Sequence, residues 1–151
     1  MDTVTYPDPR VAAFITGHFI PARVRVKESP ELVQEYLVGW TPNVVVADDQ
    51  GKVHYRVEGY LPPEEFLAHL SLGIGKYQLN RKHFDQAGER FEEVARRHAG
   101  TDAGAEALYW LGVAQYKQSH DPARLRPSWQ RLAQEYPKSE WAKRTQIPAK
   151  S

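Results

Sequence analysis

The chain has 151 residues, of which 41% are hydrophobic and 26% are charged, and its formal net charge at pH 7 is +1. This composition is typical of a folded globular protein, and so small a net charge gives no reason to expect nucleic acid or an acidic membrane as a partner. No apolar run approaches the roughly 20 residues that a membrane helix needs, so we expect no membrane insertion. The sequence contains no cysteine. Because thiol–disulfide exchange requires a thiolate, this polypeptide alone cannot perform it.

The first 40 residues contain signals for two short helices and one strand. Asp8-Pro9 resembles an N-cap followed by proline at the first helical position, and Gly17 would end that helix. Residues 20–26 alternate between apolar and polar, which predicts a strand. Ser29-Pro30-Glu31 would open the second helix, whose apolar face would consist of Leu32, Val33, Tyr36 and Leu37.

A β-hairpin is predicted over residues 43–58. Residues 43–47 are a valine-rich run typical of a buried strand, and Thr41-Pro42 precedes it. The following Asp-Asp-Gln-Gly favours a tight turn, which explains Asp48 and Asp49 better than a paired-carboxylate or calcium site would. Apolar and polar residues alternate over residues 52–58, so we expect a solvent-exposed face formed by His54, Arg56 and Glu58.

The rest of the chain is predicted to be helical and contains an internal repeat. Residues 62–65 (PPEE) would start a helix with Phe66, Leu67, Leu70 and Leu72 facing inward. Residues 72–77 (LGIGKY) match residues 111–116 (LGVAQY), and residues 91–95 (FEEVA) match residues 129–133 (WQRLA), at offsets of 39 and 38. Repeats of this length built from paired helices are typical of a solenoid. Turns are predicted near residues 82–84 and 119–122, and a capping helix over residues 140–145.

These patterns carry two family resemblances. Thr41-Pro42, the valine-rich strand, the Asp-x-x-Gly turn and residues 59–66 (GYLPPEEF) resemble the C-terminal half of a thioredoxin-like domain. In that family Thr-Pro forms the cis-proline loop that faces the active-site dithiol. Residues 1–6 (MDTVTY) are similar to the stretch that follows the two cysteines in thioredoxin-like proteins related to bacterial disulfide reductases. The repeats resemble tetratricopeptide repeats, on the residues Leu111-Gly112, Ala114, Tyr116 and Pro137-Lys138-Ser139.

The resemblances imply an α+β/α architecture with two domains. Residues 1–71 would form an incomplete thioredoxin-like α/β sheet that lacks its N-terminal strand and CxxC. Residues 72–151 would form an all-α array of tetratricopeptide-like helical hairpins with a C-terminal capping helix. In the resembled fold the missing strand lies between those that match residues 20–26 and 43–47. We therefore expect either that these two strands pair directly or that two chains complete each other's sheet as a homodimer.

Two candidate binding surfaces follow. The loop Trp40-Thr41-Pro42 would hold an extended peptide by strand addition, unless it is only a leftover structural turn. The concave face of the repeats would contact a partner through residues that otherwise belong to the core: Tyr77, Tyr109, Gln115 and Tyr116. Two basic clusters, at residues 81–83 and 96–98, could form a surface for an acidic peptide, but solvated helix faces and compensation of the helix dipole are the favoured explanation. The six scattered histidines form no metal-ligand pattern, and we expect no catalytic residue, metal site or cofactor.

The sequence favours a non-catalytic interaction module that binds a protein or peptide partner. The alternative is a fragment of a longer thiol–disulfide oxidoreductase whose CxxC lies just upstream of Met1. No export signal is visible in the sequence. We therefore expect a cytoplasmic location, or a periplasmic one if an upstream signal is missing.

Overall fold

A computed structural model describes residues 1–147. In this part of the chain, two short helices precede a β-hairpin, and the remainder is helical. The elements are α1 (Pro9–His18), α2 (Pro30–Glu35), β1 (Asn43–Ala47), β2 (Val53–Glu58), α3 (Pro63–Asn80), α4 (Phe84–Arg97), α5 (Asp102–Ser119), a 3₁₀ helix (Pro122–Leu125), α6 (Arg126–Glu135) and α7 (Glu140–Arg144). The last four residues of the predicted second domain, 148–151, lie outside the described residues.

The two N-terminal helices begin where the sequence predicts. The Asp8 carboxylate accepts a hydrogen bond of 2.8 Å from the Arg10 amide and caps α1. Helix α2 begins at Pro30, and its predicted apolar face is only partly covered: Val33 and Tyr36 are half-buried, whereas Leu32 and Leu37 are 39% and 80% exposed. Residues 2–7 form hydrogen-bonded turns, in which the amides of Thr5 and Tyr6 both donate to the Met1 carbonyl at 3.0 Å.

The predicted strand at residues 20–26 is wrong. These residues have no strand structure, and the Ile20 side chain is fully exposed while Val24 and Val26 are nearly half exposed. Alternation makes a segment suitable for a sheet, but a strand exists only where a neighbour pairs with its backbone. No such neighbour lies beside this segment within residues 1–147, since the sheet contains only β1 and β2. The expectation that residues 20–26 pair directly with residues 43–47 is therefore also wrong.

The predicted hairpin is confirmed, with β1 and β2 paired antiparallel. One detail of β2 differs from the expectation, because His54 is buried at 6% exposure while Val53 is 37% exposed. The register explains this: Val46 pairs with Tyr55 and Ala47 pairs with Val53, which leaves His54 as the extra residue of a bulge. A bulge redirects side chains, so strict alternation fails at this position.

Helix α3 joins the two halves of the fold. It runs through residues 71 and 72, where the domain division is predicted, without a break. A small apolar cluster contains Val11 together with three α3 residues, Phe66, Leu67 and Leu70. The larger core continues along α3 into the helical array through Ala68, Leu72 and Leu79. One continuous helix with buried residues in both clusters therefore connects the first part of the chain to the helical array.

The helical array follows the predicted repeat. Helices α3 and α4 form the first hairpin, and α5 pairs with the 3₁₀ helix and α6 in the second. The turns and the capping helix α7 lie where the sequence predicts them. Close approach within each hairpin requires a glycine opposite an aromatic ring: a Cβ on Gly75 would lie 2.5 Å from Phe91 Cε1, and one on Gly112 would lie 2.8 Å from Trp129 Nε1.

Candidate protein-binding site

The loop before β1 presents a tryptophan to solvent. Trp40 is 71% exposed, Thr41 is exposed, and the peptide bond between Thr41 and Pro42 is cis. The Pro42 carbonyl accepts a hydrogen bond of 2.8 Å from the Gly59 amide, which fixes the loop to the end of the hairpin. The three residues predicted from the sequence therefore lie together at one end of β1.

Beyond this loop, one edge of β1 is unpaired. In an antiparallel ladder, hydrogen-bonded pairs alternate with pairs whose backbone groups point outward. Because Pro42 and Gly59 form a bonded pair and Asn43 lies opposite Glu58, the outward-pointing groups of β1 belong to Asn43 and Val45. Apart from β2, no element within residues 1–147 forms backbone hydrogen bonds with this strand.

An arginine connects this loop region to the hairpin. Arg56 donates a hydrogen bond of 2.9 Å to Asn43 Oδ1, and its other terminal nitrogen donates to the Tyr36 carbonyl at the end of α2. Arg56 therefore links the segment that leads into Trp40 to β2. The sequence predicts Arg56 on the solvent-exposed face of the strand, whereas the structure shows that its side chain is half-buried.

Exposed apolar side chains are concentrated in the same part of the chain. Nine of the eleven large hydrophobic residues that are exposed within residues 1–147 lie between Val4 and Tyr60. Leu37, which is 80% exposed, lies three residues before Trp40, and Tyr60, which is 54% exposed, follows Gly59, whose amide bonds to the Pro42 carbonyl. Leu37, Trp40 and Tyr60 thus present apolar side chains to solvent around the loop.

The turn of the hairpin is held by hydrogen bonds of the buried His54 with Asp48 and Asn80. His54 Nε2 lies 2.9 Å from Asp48 Oδ2, and His54 Nδ1 accepts a hydrogen bond of 3.0 Å from the Asn80 side chain at the end of α3. Asp48 Oδ1 also accepts from the amides of Gln50 and Lys52, as expected for a turn residue. The hydrogen bond with His54 lowers the pKa of the Asp48 carboxyl below its ordinary value.

A second polar contact fixes β2 to the helices. The Tyr55 hydroxyl lies 2.6 Å from His69 Nδ1 on α3 and 3.4 Å from Glu106 Oε2 on α5. Burial raises the pKa of both Tyr55 and Glu106. The hairpin that supports the loop is thus attached at two points to the helical array.

The four residues predicted to form the concave contact surface do not lie together. Tyr77 packs edge-on against His54 with ring centroids 5.1 Å apart, and Tyr109 stacks on Trp129 at 5.3 Å. Tyr116 is 38% exposed near the end of α5. Gln115 instead lines a groove of about 690 Å³ between α4, α5 and the 3₁₀ helix, with Phe84, Glu89, Glu92 and Leu111. Their role as partner contacts stays a prediction.

The second basic cluster is largely paired within the chain. Arg97 lies 3.3 Å from Glu93, and His98 Nδ1 lies 2.7 Å from Glu64 on α3. His98 therefore connects the end of α4 to the start of α3, in agreement with a packing role. The first cluster, residues 81–83, forms the exposed turn between α3 and α4.

Across the described residues, no three histidine, aspartate or glutamate side chains are placed to hold one metal ion. No helix within residues 1–147 combines the length and apolar character needed to cross a membrane.

Comparison with known families agrees with this architecture. Residues 1–73 match the model of the thioredoxin-like domain, and residues 106–139 match the model of the tetratricopeptide repeat. Both resemblances inferred from the sequence are therefore confirmed: a thioredoxin-like domain without cysteine precedes a tetratricopeptide repeat. No curated protein and no solved structure matches the chain.

Proposed function

We propose that this chain is a non-catalytic protein-interaction module whose β1 edge and Trp40 loop bind an extended segment of a protein partner. A thioredoxin-like domain followed by a tetratricopeptide repeat fits a role in protein interaction or one related to oxidoreductases. The absence of cysteine favours the first role, because a dithiol reaction has no nucleophile here. The partner segment would add a third strand to the hairpin.

One observation carries the proposal: β1 offers unpaired backbone groups and no protection against pairing. Its residues are Asn-Val-Val-Val-Ala, without a charge or an internal proline. Edge strands of soluble proteins are usually protected by such residues or covered by another element. An added strand would bond to the outward groups of Asn43 and Val45, and each hydrogen bond would contribute about 1 kcal/mol net.

Trp40 would supply the side-chain part of the contact. A tryptophan that is 71% exposed beside a free strand edge can lose much apolar surface to a partner. Tryptophan is enriched among residues whose truncation costs about 2 kcal/mol or more of binding free energy. The loop would therefore contribute affinity, while the strand edge would determine the direction of the bound segment.

Photo-crosslinking tests the site directly. The Trp40→p-benzoylphenylalanine variant, irradiated in the source cells, should form a covalent adduct with one defined protein. The matched control carries the same photoreactive group at Gln134, an exposed residue of α6. Absence of an adduct at position 40, or the same adducts from both positions, would contradict the proposal.

A second copy of the chain is the competing occupant of this edge. Two β1 strands can pair antiparallel about Val44, because the outward-pointing groups of Asn43 and Val45 lie on either side of that residue. Light scattering would then give a dimer, and Val45→Pro would abolish it by removing the outward amide. Val45→Thr, which keeps the amide, is the matched control. A monomer at all concentrations would exclude the homodimer and leave a different protein as the partner.

The alternative function is that of an oxidoreductase whose dithiol lies in a longer native chain. The match of residues 1–73 to the thioredoxin-like model favours this alternative. Measuring the intact mass of the protein from its source cells tests it. The short chain has a mass of 17.3 kDa. A mass larger by a few kilodaltons, with upstream cysteines, would support the alternative. Fractionation of the same cells tests the expected cytoplasmic location.

A further inference from the structure

A row of four titratable side chains lies at the junction between β2 and the helices. The Tyr55 hydroxyl lies 2.6 Å from His69 Nδ1 and 3.4 Å from Glu106 Oε2. At the other end of the row, His69 Nε2 lies 3.8 Å from Glu65 Oε2, one turn earlier on α3. The His69 side chain is only 12% exposed, and Glu65 Oε2 is buried without a hydrogen-bond partner within residues 1–147. These groups must therefore largely satisfy one another.

The row has three contacts but, with both glutamates ionised, only two protons to place in them. A tyrosine hydroxyl carries one proton, and a neutral imidazole carries one on either ring nitrogen, whereas an ionised carboxylate only accepts. At least one of the three contacts would then bring two acceptors together, which is costly in a buried setting. One additional proton removes this conflict.

The shortest distance in the row indicates where the additional proton lies. N–H···O hydrogen bonds are roughly 2.7–3.2 Å long and those donated by a hydroxyl are shorter, so the 2.6 Å contact favours Tyr55 as the donor to His69. The imidazole proton is then on Nε2, facing Glu65. Because Tyr55 has no second proton, its contact with Glu106 requires a proton on Glu106 Oε2. The other oxygen of Glu106 accepts a hydrogen bond of 3.1 Å from Trp110 Nε1.

We propose that this proton makes the junction a pH-sensitive switch. When Glu106 is protonated, its carboxyl donates to Tyr55 and Tyr55 donates to His69, so β2 is attached to both α5 and α3. Loss of the proton leaves one contact of the row without a donor, and the hairpin then separates more readily from the helices. The inference goes beyond the proposed function, since the attachment of the hairpin responds to pH whether or not β1 binds a partner.

Charges around Glu106 act in both directions. Burial raises the pKa of Glu106 above its ordinary value, while the hydrogen bonds with Trp110 and Tyr55 and the charges of Lys76 and Arg144 oppose that shift. The Lys76 ammonium nitrogen lies 3.1 Å from the centroid of the Trp110 ring, and burial lowers the pKa of Lys76 to about 8. The nearby cation is therefore itself weakened by burial.

Burial also determines the protonation of the other members of the row. It raises the pKa of Tyr55, so the hydroxyl keeps its proton. It lowers the pKa of His69, although the charge of Asp102 on α5 partly opposes that shift, so the imidazole stays neutral. Burial likewise raises the pKa of Glu65. Three further titratable groups face Glu65: Glu64, His98 and Asp102.

The pH dependence of Glu106 has a defined direction. A carboxyl whose pKa is raised in the folded chain contributes most stability below the unfolded glutamate pKa of about 4.3, and that contribution is lost as the pH rises through the folded value. The lowered pKa of His69 acts in the opposite direction, since its contribution is lost as the pH falls from about 6.5 through the folded value. A variant of Glu106 alone separates the two effects.

Urea unfolding of the Glu106→Gln variant tests the proposal. Glutamine imitates the protonated carboxyl, because its amide nitrogen can donate to Tyr55 and its oxygen can accept from Trp110. As the pH rises from 4 to 8, the urea midpoint of the unchanged chain should fall relative to that of the variant. Glu89→Gln, which changes an exposed glutamate of α4, is the matched control and should follow the unchanged chain at every pH.

Amide hydrogen exchange of β2 shows whether the proton acts on the hairpin. At pH 8 the Glu106→Gln variant should protect the β2 amides more strongly than the unchanged chain, and at pH 5 the two should differ less. Tyr55→Phe removes the hydroxyl that connects Glu106 to β2. Adding Glu106→Gln to Tyr55→Phe should therefore leave the exchange of β2 unchanged.

Infrared difference spectra report the proton itself. The spectrum of the unchanged chain minus that of Glu106→Gln should contain the carbonyl band of a protonated carboxylic acid at pH 5, and this band should fade towards pH 8. Absence of the band would overturn the proposal. A variant that fails to fold, or whose urea midpoint is lower by the same amount at every pH, would also overturn it, because Glu106 would then act as an ionised partner of Lys76.

Discussion

Single glycines decide how closely the paired helices of the repeat approach. Gly75 faces the fully buried ring of Phe91, and a Cβ at this position would lie 2.5 Å from one ring carbon and 2.8 Å from the next. Gly88 lies on the facing helix α4, where the nearest side-chain atom to a Cβ would be Leu111 Cδ1 at 3.9 Å. Both glycines lie inside a helix, but only Gly88 has room for an added methyl group.

Alanine at these two positions should have opposite effects. Gly75→Ala should lower the free energy of unfolding by about 1–3 kcal/mol, because the buried ring must move. Gly88→Ala should raise it by up to about 1 kcal/mol, since alanine favours a helix interior. Urea unfolding of both variants measures the difference. Equal effects of the same sign would show that backbone propensity, not packing, determines stability in this hairpin.

The Asp48–His54 contact should make hairpin stability depend on pH. The pKa of Asp48 is lowered in the folded chain, mainly by the hydrogen bond with His54. This stabilisation is complete above the ordinary aspartate pKa of about 3.9 and is lost as the pH falls through the lower folded value. The Asp48→Asn variant should lack the loss of stability that protonation of Asp48 causes at low pH. Unfolding curves of the unchanged chain and the Asp48→Asn variant between pH 3 and 6 measure this difference. A parallel loss of stability in the two proteins would contradict the account.

At the scale of elements, one of the two polar attachments of the hairpin to the helices is made by a single hydroxyl, that of Tyr55. Tyr55 is the only residue of β2 that hydrogen-bonds to both α3 and α5 within residues 1–147. It also packs against Gly73, where a Cβ would lie 3.1 Å from Tyr55 Cδ1. Tyr55 therefore makes both the hydrogen bonds and a close packing contact at the junction between the hairpin and the helices.

Removal of this hydroxyl should loosen the junction. Tyr55→Phe would leave His69 and Glu106 without that partner in a buried setting, at a cost of about 1–3 kcal/mol. Tyr60→Phe is the matched control, because Tyr60 is 54% exposed and should change stability little. Thermal unfolding of both variants distinguishes them. A small effect at Tyr55 would mean that water replaces the hydroxyl at the junction.

Elements with local signals were predictable, and those that depend on neighbours were not. The cap at Asp8 and the turn at Asp48 work through atoms close in sequence, so their residue types sufficed. Residues 20–26 have the alternation of a strand but no partner strand beside them. The burial of His54 follows from a one-residue bulge that alternation cannot show. The loop at Trp40 was located from its residues, but the free edge beside it required the sheet.

The residue pattern also gave no sign of the Lys76–Trp110 contact, although each residue lies in a predicted helix. Trp110 and Glu106 are four residues apart on α5, a spacing at which side chains meet. Lys76 comes from α3, so no local pattern relates it to either residue. Contacts between repeats depend on the angle and offset of packed helices, which the residue pattern does not fix.

At the scale of the whole molecule, the two parts differ in how much core they contain. The first cluster has only four buried residues, three of them on α3. The larger cluster includes fifteen buried residues drawn mainly from α3, α4 and α5. The helical array should therefore fold first and support the thioredoxin-like part.

Two fragments test this dependence and the proposed division at residues 71 and 72. A fragment of residues 63–151 should unfold cooperatively, because it keeps the larger core and all of α3. A fragment of residues 1–71 should show no cooperative transition, since it loses the helices that the hairpin packs against. Circular dichroism during heating measures both. A cooperative transition in the shorter fragment would show that the first domain folds independently.

Amide hydrogen exchange at the β1 edge is the measurement that tests the central claim most directly. In the dilute free chain, the amides of Asn43 and Val45 should exchange rapidly, while those of Val44 and Val46, bonded to β2, should be protected. After addition of the protein captured at position 40, Asn43 and Val45 should become protected as well. If Val45 is already protected in the dilute monomer, or stays unprotected in the complex, β1 is not the edge that binds a partner strand.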